Sequence, residues 1–283
     1  MNVWVEAARP KTLSAAVAPV LVGTAASGRF VAWRFAATMT VAVAIQIGVN
    51  YANDYFDAAA GVDTHARVGP RRAVSSGLVS PRAMKIAMAS AFAVAAIAGL
   101  ALALEIGPEL IALGALCVAA ALGYSGGPRP YASKGLGEVF VFVFFGLIAT
   151  AGSAYVQAER VLALAIAVAV PVGFLATAIL VANNLRDIES DAAAGKRTLA
   201  VRRGAERTRS LYRALIASSF VLAVVVVFAA GSAWPLVCLL ALPLGTTVMD
   251  AVKSEQSLGP VLGATARLQI AYAVLLSVGL WIS

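Results

Sequence analysis

The chain has 283 residues, of which 61% are hydrophobic and only 13% charged, and its mean hydropathy is +0.87. A soluble domain carries roughly 25% charged residues, so an integral membrane protein is expected, and a disordered chain, a disulfide scaffold or a soluble dinucleotide-binding enzyme is disfavoured. The formal net charge of +8 would suggest nucleic acid in a soluble protein; in a membrane protein it points to lipid headgroups or to an anionic substrate at the bilayer surface, with no nucleic-acid partner.

In chain order, the start MNVWVEAARPKTLS is polar and leads directly into the first apolar segment, so no cleavable signal peptide is expected. A membrane helix needs about 20 mostly apolar residues. Nine such segments follow, at 10–28, 32–56, 83–104, 109–124, 136–156, 161–184, 208–229, 234–250 and 261–281. The fourth and eighth are short, and either is open to merging with a neighbour as a re-entrant hairpin. Pro19, Gly48, Pro171 and Pro243 fall inside spans, where membrane helices tolerate them. Cys117 and Cys238 lie in apolar runs, which indicates neither a disulfide framework nor a metal cluster. The whole chain, 1–283, reads as a single polytopic domain of the cell membrane.

Charge then orients the spans. With nine of them, the N-terminus and the even-numbered loops share one side, which holds 18 Lys and Arg residues against three (Arg29, Arg34 and Arg160) on the other; Arg267 lies within the last span. The positive-inside rule therefore puts the N-terminus and the two long loops, about 57–82 and 185–207, in the cytoplasm. The loops on the opposite side are short, so function is expected on the cytoplasmic side.

Two spans end in acids. The second runs out as Asn50-Tyr-Ala-Asn53-Asp54-Tyr-Phe-Asp57, and the sixth as Asn183-Asn184-Leu-Arg-Asp187 with Asp191 beyond. Asn53 and Asp57 are four residues apart, as are Asn183 and Asp187, and Asp187 and Asp191. A spacing of four stacks side chains on one helical face, so each helix end presents an amide and a carboxylate together. Carboxylates at membrane depth are costly and usually functional. Two facing clusters would repel each other unless a cation lay between them, and oxygen-only ligands that also meet phosphate favour Mg²⁺. The alternative is that these are ordinary solvated helix ends. Each cluster is followed by bases, Arg67 to Arg72 in the first loop and Lys196-Arg197 in the second, the usual partners of phosphate. Acid and base together read as a pyrophosphate site. Arg202, Arg203, Arg207 and Arg209 are assigned instead to topology and anionic lipid.

These residues resemble the UbiA-type intramembrane aromatic prenyltransferases. Within that family the resemblance is to the branch acting on 1,4-dihydroxy-2-naphthoate in menaquinone biosynthesis. It is carried by RPKTL at 9–13, PVLVGT at 19–24, NDYFDAAAGVD at 53–63, VGPRR at 68–72, SGL at 76–78, GLGEVF at 135–140 and AGKRTL at 194–199. It covers nearly the whole chain. One departure concerns the position four after Asp57, usually a second aspartate and here Gly61; Asp63 takes its place, with glycine freeing the chain to turn. Asn184 likewise stands where an aspartate is usual.

The resemblance implies an all-α helical barrel closed by a cytoplasmic cap made of loops 57–82, 125–135 and 185–207. It implies transfer of a polyprenyl chain from polyprenyl diphosphate to 1,4-dihydroxy-2-naphthoate with loss of CO₂, giving a demethylmenaquinone. Asn53, Asp57, Asp63, Asn183, Asp187 and Asp191 are assigned to Mg²⁺, and Arg67, Arg72, Lys134, Lys196 and Arg197 to pyrophosphate. Tyr124 and Tyr155 are candidate aromatic faces for the carbocation, with interfacial anchoring as the alternative. Arg9, Lys11 and His65 are candidates for contact with the acceptor, against lipid anchoring or simple solvation. Arg267 and Gln269 in the ninth span need polar partners, with Asp250 a candidate for Arg267. Two other functions remain open: prenylation of another acceptor (4-hydroxybenzoate, homogentisate or a haem) and membrane transport.

Overall fold

A computed structural model describes residues 2–61, 71–128, 130–253 and 258–283. Among these residues the chain is helical, and its nine long helices correspond to the nine apolar segments. They are α1 Ser14–Ala26, α2 Ala32–Ala59, α3 Pro81–Ile106, α4 Glu109–Ser125, α5 Gly137–Ala158, α6 Ala163–Arg186, α7 Ala205–Ala230, α8 Trp234–Ala251 and α9 Gly259–Ile282. Seven are long and apolar enough to cross a membrane, and α1 and α4 are the shorter ones. A helix satisfies every backbone hydrogen bond internally, which is why apolar runs in lipid adopt this form. The eighth segment is a helix of its own that begins as a 3₁₀ stretch over Trp234–Ala241. The first starts at Ser14 rather than residue 10, because Arg9 takes a left-handed conformation (φ 51°) ahead of the turn Pro10–Thr12.

The helices pack around α6, the most buried of the long spans, which touches α1, α5, α7 and α9. Small residues set the close approaches. The α5 helix widens into a π-helical stretch at Phe142–Ile148, and a Cβ on Gly146 would stand 2.6 Å from the Gly173 Cα of α6. Polar side chains tie the α7–α9 half. The Tyr272 hydroxyl donates to the Ser219 carbonyl at 2.9 Å, and Tyr212 bonds Thr265 at 2.7 Å.

One end of the bundle is closed by charge. Buried Arg34 at the start of α2 donates to Glu105 of α3 (2.7 and 2.9 Å), to Glu159 just past α5 (2.8 Å) and to the Val156 carbonyl (3.0 Å). The start of α2 and the ends of α3 and α5 therefore share one end, as the alternation of spans requires. The loops 71–80, 126–136 and 187–204 gather at the other end, with short helices Ile188–Ala193 and Leu199–Arg203 in the last of them. A short N-terminal helix, Val3–Ala7, packs Trp4 against Tyr51 of α2 (ring centroids 6.0 Å apart) beside Ala73, Val79 and Met84.

Candidate active site

At the loop-rich end a cavity of about 160 Å³ is lined from α2 by Asn53 and Asp57, from α4 by Tyr124 and Ser125, and from α6 by Asn183 and Asn184. Asp187, Asp191, Lys196, Arg72 and Arg9 complete its charged lining. The two acidic motifs, about 130 residues apart in sequence, thus face one space. Their helical spacing does the local work: one turn separates Asn53 from Asp57 and Asn183 from Asp187, so each amide stands above its carboxylate.

The carboxylates of Asp57 and Asp187 each have definite partners. Asp57 is 5% exposed, and one of its oxygens, Oδ2, meets both Arg72 Nη2 at 2.6 Å and Lys196 Nζ at 2.9 Å. Lys196 comes from the far motif: its backbone N–H donates to the Asp191 carbonyl at 2.8 Å, after a turn at Gly195 (φ 74°). One residue therefore spans both acidic segments. Asp187 is gripped by the Arg186 fork, 2.7 Å to each oxygen, and the same guanidinium donates to Asn183 Oδ1 at 2.8 Å. Asn53 Oδ1 accepts from the Ser125 hydroxyl at 2.6 Å, joining α2 to α4. Charge-assisted forks of this kind fix orientation as well as charge.

The site also uses residues that the acid pattern does not assign. Asp54 is buried and turned away from the cavity, where its two oxygens accept the backbone N–H groups of Ala73 and Val74, both at 2.9 Å. It thereby ties down the loop that carries Arg72. Asn184 donates to Glu138 at 3.0 Å. Arg9 reaches the cavity from a turn held by α2: Asn50 Nδ2 donates to the Ala8 carbonyl at 2.8 Å and to Thr12 Oγ1 at 3.2 Å, and Gln46 donates to the same hydroxyl at 3.1 Å. Positive φ in a non-glycine residue is costly and persists where the surroundings enforce it. Tyr124 packs edge-on against Tyr131, which stacks on Phe140 at 3.9 Å. Burial pushes the Tyr131 hydroxyl up from its ordinary pKa, and it donates to the Ala120 carbonyl at 2.8 Å.

Of the residues assigned from sequence, Asn53, Asp57, Asn183, Asp187, Asp191, Arg72, Lys196, Tyr124 and Arg9 line the cavity. Asp63, His65 and Arg67 lie outside the described residues. Lys134 and Arg197 are exposed and lie off the cavity wall, and Lys11 is exposed with its carbon chain 3.7 Å from the position of a Cβ on Gly263. Tyr155 belongs to the opposite end of the bundle, where its hydroxyl bonds Glu109, so it does not face the cavity. The suggested Arg267–Asp250 pairing also gives way: Asp250 pairs with Lys253 at 2.7 Å and Arg267 is exposed. Gln269 is buried, and neither end of its amide has a hydrogen-bond partner among the described residues.

Among the described residues no three Asp, Glu, His or Cys side chains stand together as a preformed metal cluster. The donors around the cavity are carboxylate and amide oxygens, a set that suits a hard cation. Its acids are balanced by Arg72, Lys196 and Arg186, cations that phosphate oxygens attract equally well.

The chain is similar to known proteins in both sequence and structure. Residues 16–258 match the UbiA prenyltransferase family. The chain is 46% identical, over 96% of its length and 93% of the relative's, to a 1,4-dihydroxy-2-naphthoate octaprenyltransferase of Mycobacterium leprae. It is 47% identical, over 96% and 94%, to the enzyme of the same name from Mycobacterium tuberculosis. The one from Escherichia coli is 37% identical over 99% of this chain and 95% of that one. In structure the chain is similar to a UbiA homolog from Aeropyrum pernix in its apo form (TM-score 0.74, 18% identity, 95% and 98% of the two chains). It is also similar to a UbiA homolog from Archaeoglobus fulgidus bound to GPP and Mg²⁺ (TM-score 0.65, 14% identity, 99% of each chain). At these identities the structural likeness establishes the fold.

Proposed function

The chain belongs to the UbiA prenyltransferase family, and on that premise we propose that it transfers a polyprenyl group from polyprenyl diphosphate to 1,4-dihydroxy-2-naphthoate. In this reading the ring carboxylate leaves as CO₂ and the product is a demethylmenaquinone. The observation that carries it is the meeting of the two acidic helix ends with Arg72 and Lys196 around one cavity. The choice of acceptor is supported by full-length relatives that bear the naphthoate octaprenyltransferase name.

The diphosphate enters between α2 and α6, and Arg72 and Lys196 exchange Asp57 for its oxygens. Asn53, Asp57, Asn183, Asp187 and Asp191, together with Asp63, would hold Mg²⁺. When bound, Mg²⁺ supplies neutralisation of the charge that builds on the departing diphosphate. Arg186 keeps Asp187 and Asn183 aligned through three hydrogen bonds. The Tyr124 ring faces the allylic cation, where a π face is attractive and water is kept out. Arg9, held in its strained turn, meets the acceptor's carboxylate. The positive side of the protein, including Arg202, Arg203 and Arg207, faces the cytoplasm and its anionic lipid.

The test is prenyl transfer by the purified enzyme in lipid nanodiscs, with labelled polyprenyl diphosphate, Mg²⁺ and one acceptor at a time. Label is expected in the naphthoate product. Label appearing only in a 4-hydroxybenzoate product overturns the choice of acceptor.

A further inference from the structure

Glu138, in the first turn of α5, has no part in the chemistry above. It is 6% exposed; its Oε1 accepts from Asn184 Nδ2 at 3.0 Å, and its Oε2 is enclosed without a hydrogen-bond partner. An acid enclosed in a membrane helix is costly, and an apolar side chain would fill the same space without that cost. What the acid does that an apolar group cannot is to select one end of Asn184. An asparagine amide has a donor end and an acceptor end, and Glu138 Oε1 takes the donor end. Glu138 therefore holds the NH₂ end against α5 and turns the amide carbonyl away from itself. Asn184 is in the cavity wall. Gly137 brings Tyr124 to the same place: a Cβ on Gly137 would lie 3.6 Å from the Tyr124 ring and 3.8 Å from its hydroxyl.

We propose that Asn184 and Tyr124 form the subsite for the acceptor ring, with Glu138 as the residue that sets the amide's polarity. Asn184 Oδ1 accepts a hydrogen bond from a ring hydroxyl of the dihydroxyaromatic acceptor, and Tyr124 lies against the ring. A diphosphate at neutral pH is mostly ionised and presents chiefly acceptor oxygens, whereas a phenol has a proton to donate. The assignment rests on the prenyl-transfer function proposed above and names the part of the cavity that reads the acceptor.

The test is steady-state prenyl transfer by the full-length enzyme in nanodiscs, varying 1,4-dihydroxy-2-naphthoate, polyprenyl diphosphate and Mg²⁺ in turn. The variants are Asn184→Leu, Glu138→Leu and Glu138→Gln. Both leucine variants are expected to raise the acceptor KM about tenfold, the effect of one lost hydrogen bond, with the diphosphate KM and the Mg²⁺ half-saturation unchanged. Glu138→Gln keeps an acceptor oxygen and stays near wild type. A naphthoate lacking the ring hydroxyl should cost the wild-type enzyme the same factor and cost Asn184→Leu nothing more; this comparison does not depend on substituting buried Glu138. A rise in the Mg²⁺ requirement instead, equal rises in every KM, or independent losses from analogue and variant overturn the assignment. Wild-type enzyme that prenylates no dihydroxynaphthoate refutes the function proposed above and this inference with it. Wild-type enzyme that does so, with acceptor KM unchanged in both leucine variants, refutes this inference alone.

Discussion

Replacing Asp54 by asparagine separates two roles that adjacent acids at the end of α2 could share. Asp54 is fully buried, and its two oxygens each receive one backbone N–H, from Ala73 and Val74, at 2.9 Å. Asparagine keeps one acceptor and sets an NH₂ group against the other N–H. A hydrogen bond to a charged group contributes about 1.5–3 kcal/mol, so losing one and weakening the other costs about 2–4 kcal/mol, all of it in the loop next to Arg72. Expressed wholly as misplacement of Arg72, that is roughly thirtyfold to a thousandfold in rate at about 1.4 kcal/mol per decade. Apolar packing of Ala73 and Val79 around Met84 retains part of the loop's order, so kcat/KM should fall about tenfold to a hundredfold. The loss should appear mainly in the KM for polyprenyl diphosphate, with the Mg²⁺ half-saturation unchanged. Steady-state prenyl transfer at graded Mg²⁺ and diphosphate measures both. Unchanged activity would mean that the Asp54 tether does not place Arg72, and a raised Mg²⁺ requirement would make Asp54 a metal ligand.

Asp57→Asn and Asp187→Asn should each cut turnover by roughly two to three orders of magnitude and weaken the Mg²⁺ dependence, as expected when charge stabilisation at a leaving group is removed; single-turnover assays at saturating diphosphate check this. Arg34→Met removes four hydrogen bonds at the far end of the bundle. Its glutamate partners are nearly half exposed and rehydrate, so the loss should be about 1–3 kcal/mol of stability, seen as a lower Tm with kcat retained. Gly146→Ala puts a Cβ 2.6 Å from the Gly173 Cα and should destabilise the α5–α6 contact by about 1–3 kcal/mol, measured by thermal unfolding in detergent.

The spans were legible because lipid leaves the backbone little choice: an apolar run of sufficient length becomes a helix, and the nine segments differ from the observed helices by a few residues at their ends. The acidic motifs were legible from their four-residue spacing, which is a property of one helix and needs no tertiary knowledge. Tyr155 stands at the opposite end of the bundle from Asp57, as the alternation of spans already implies, which favours interfacial anchoring over a carbocation contact. Lys196 and Arg197 are neighbours with the same charge, and the turn at Gly195, closed by the Lys196 N–H to the Asp191 carbonyl, directs the former into the cavity. Sequence spacing carries no trace of that choice. The bond from Asn184 to Glu138 crosses 46 residues between two helices, and Asp54 differs from Asp57 by which side of α2 it faces; both follow from packing.

The most direct measurement is an experimental structure of the enzyme with a non-hydrolysable polyprenyl diphosphate and Mg²⁺. Density for the diphosphate between the ends of α2 and α6, touched by Arg72 and Lys196 and sharing cations with Asp57 and Asp187, is the expected result. A diphosphate bound instead on the exposed basic surface of Arg202, Arg203 and Arg207, with the Asp57–Arg72 and Asp57–Lys196 pairs intact, would contradict it.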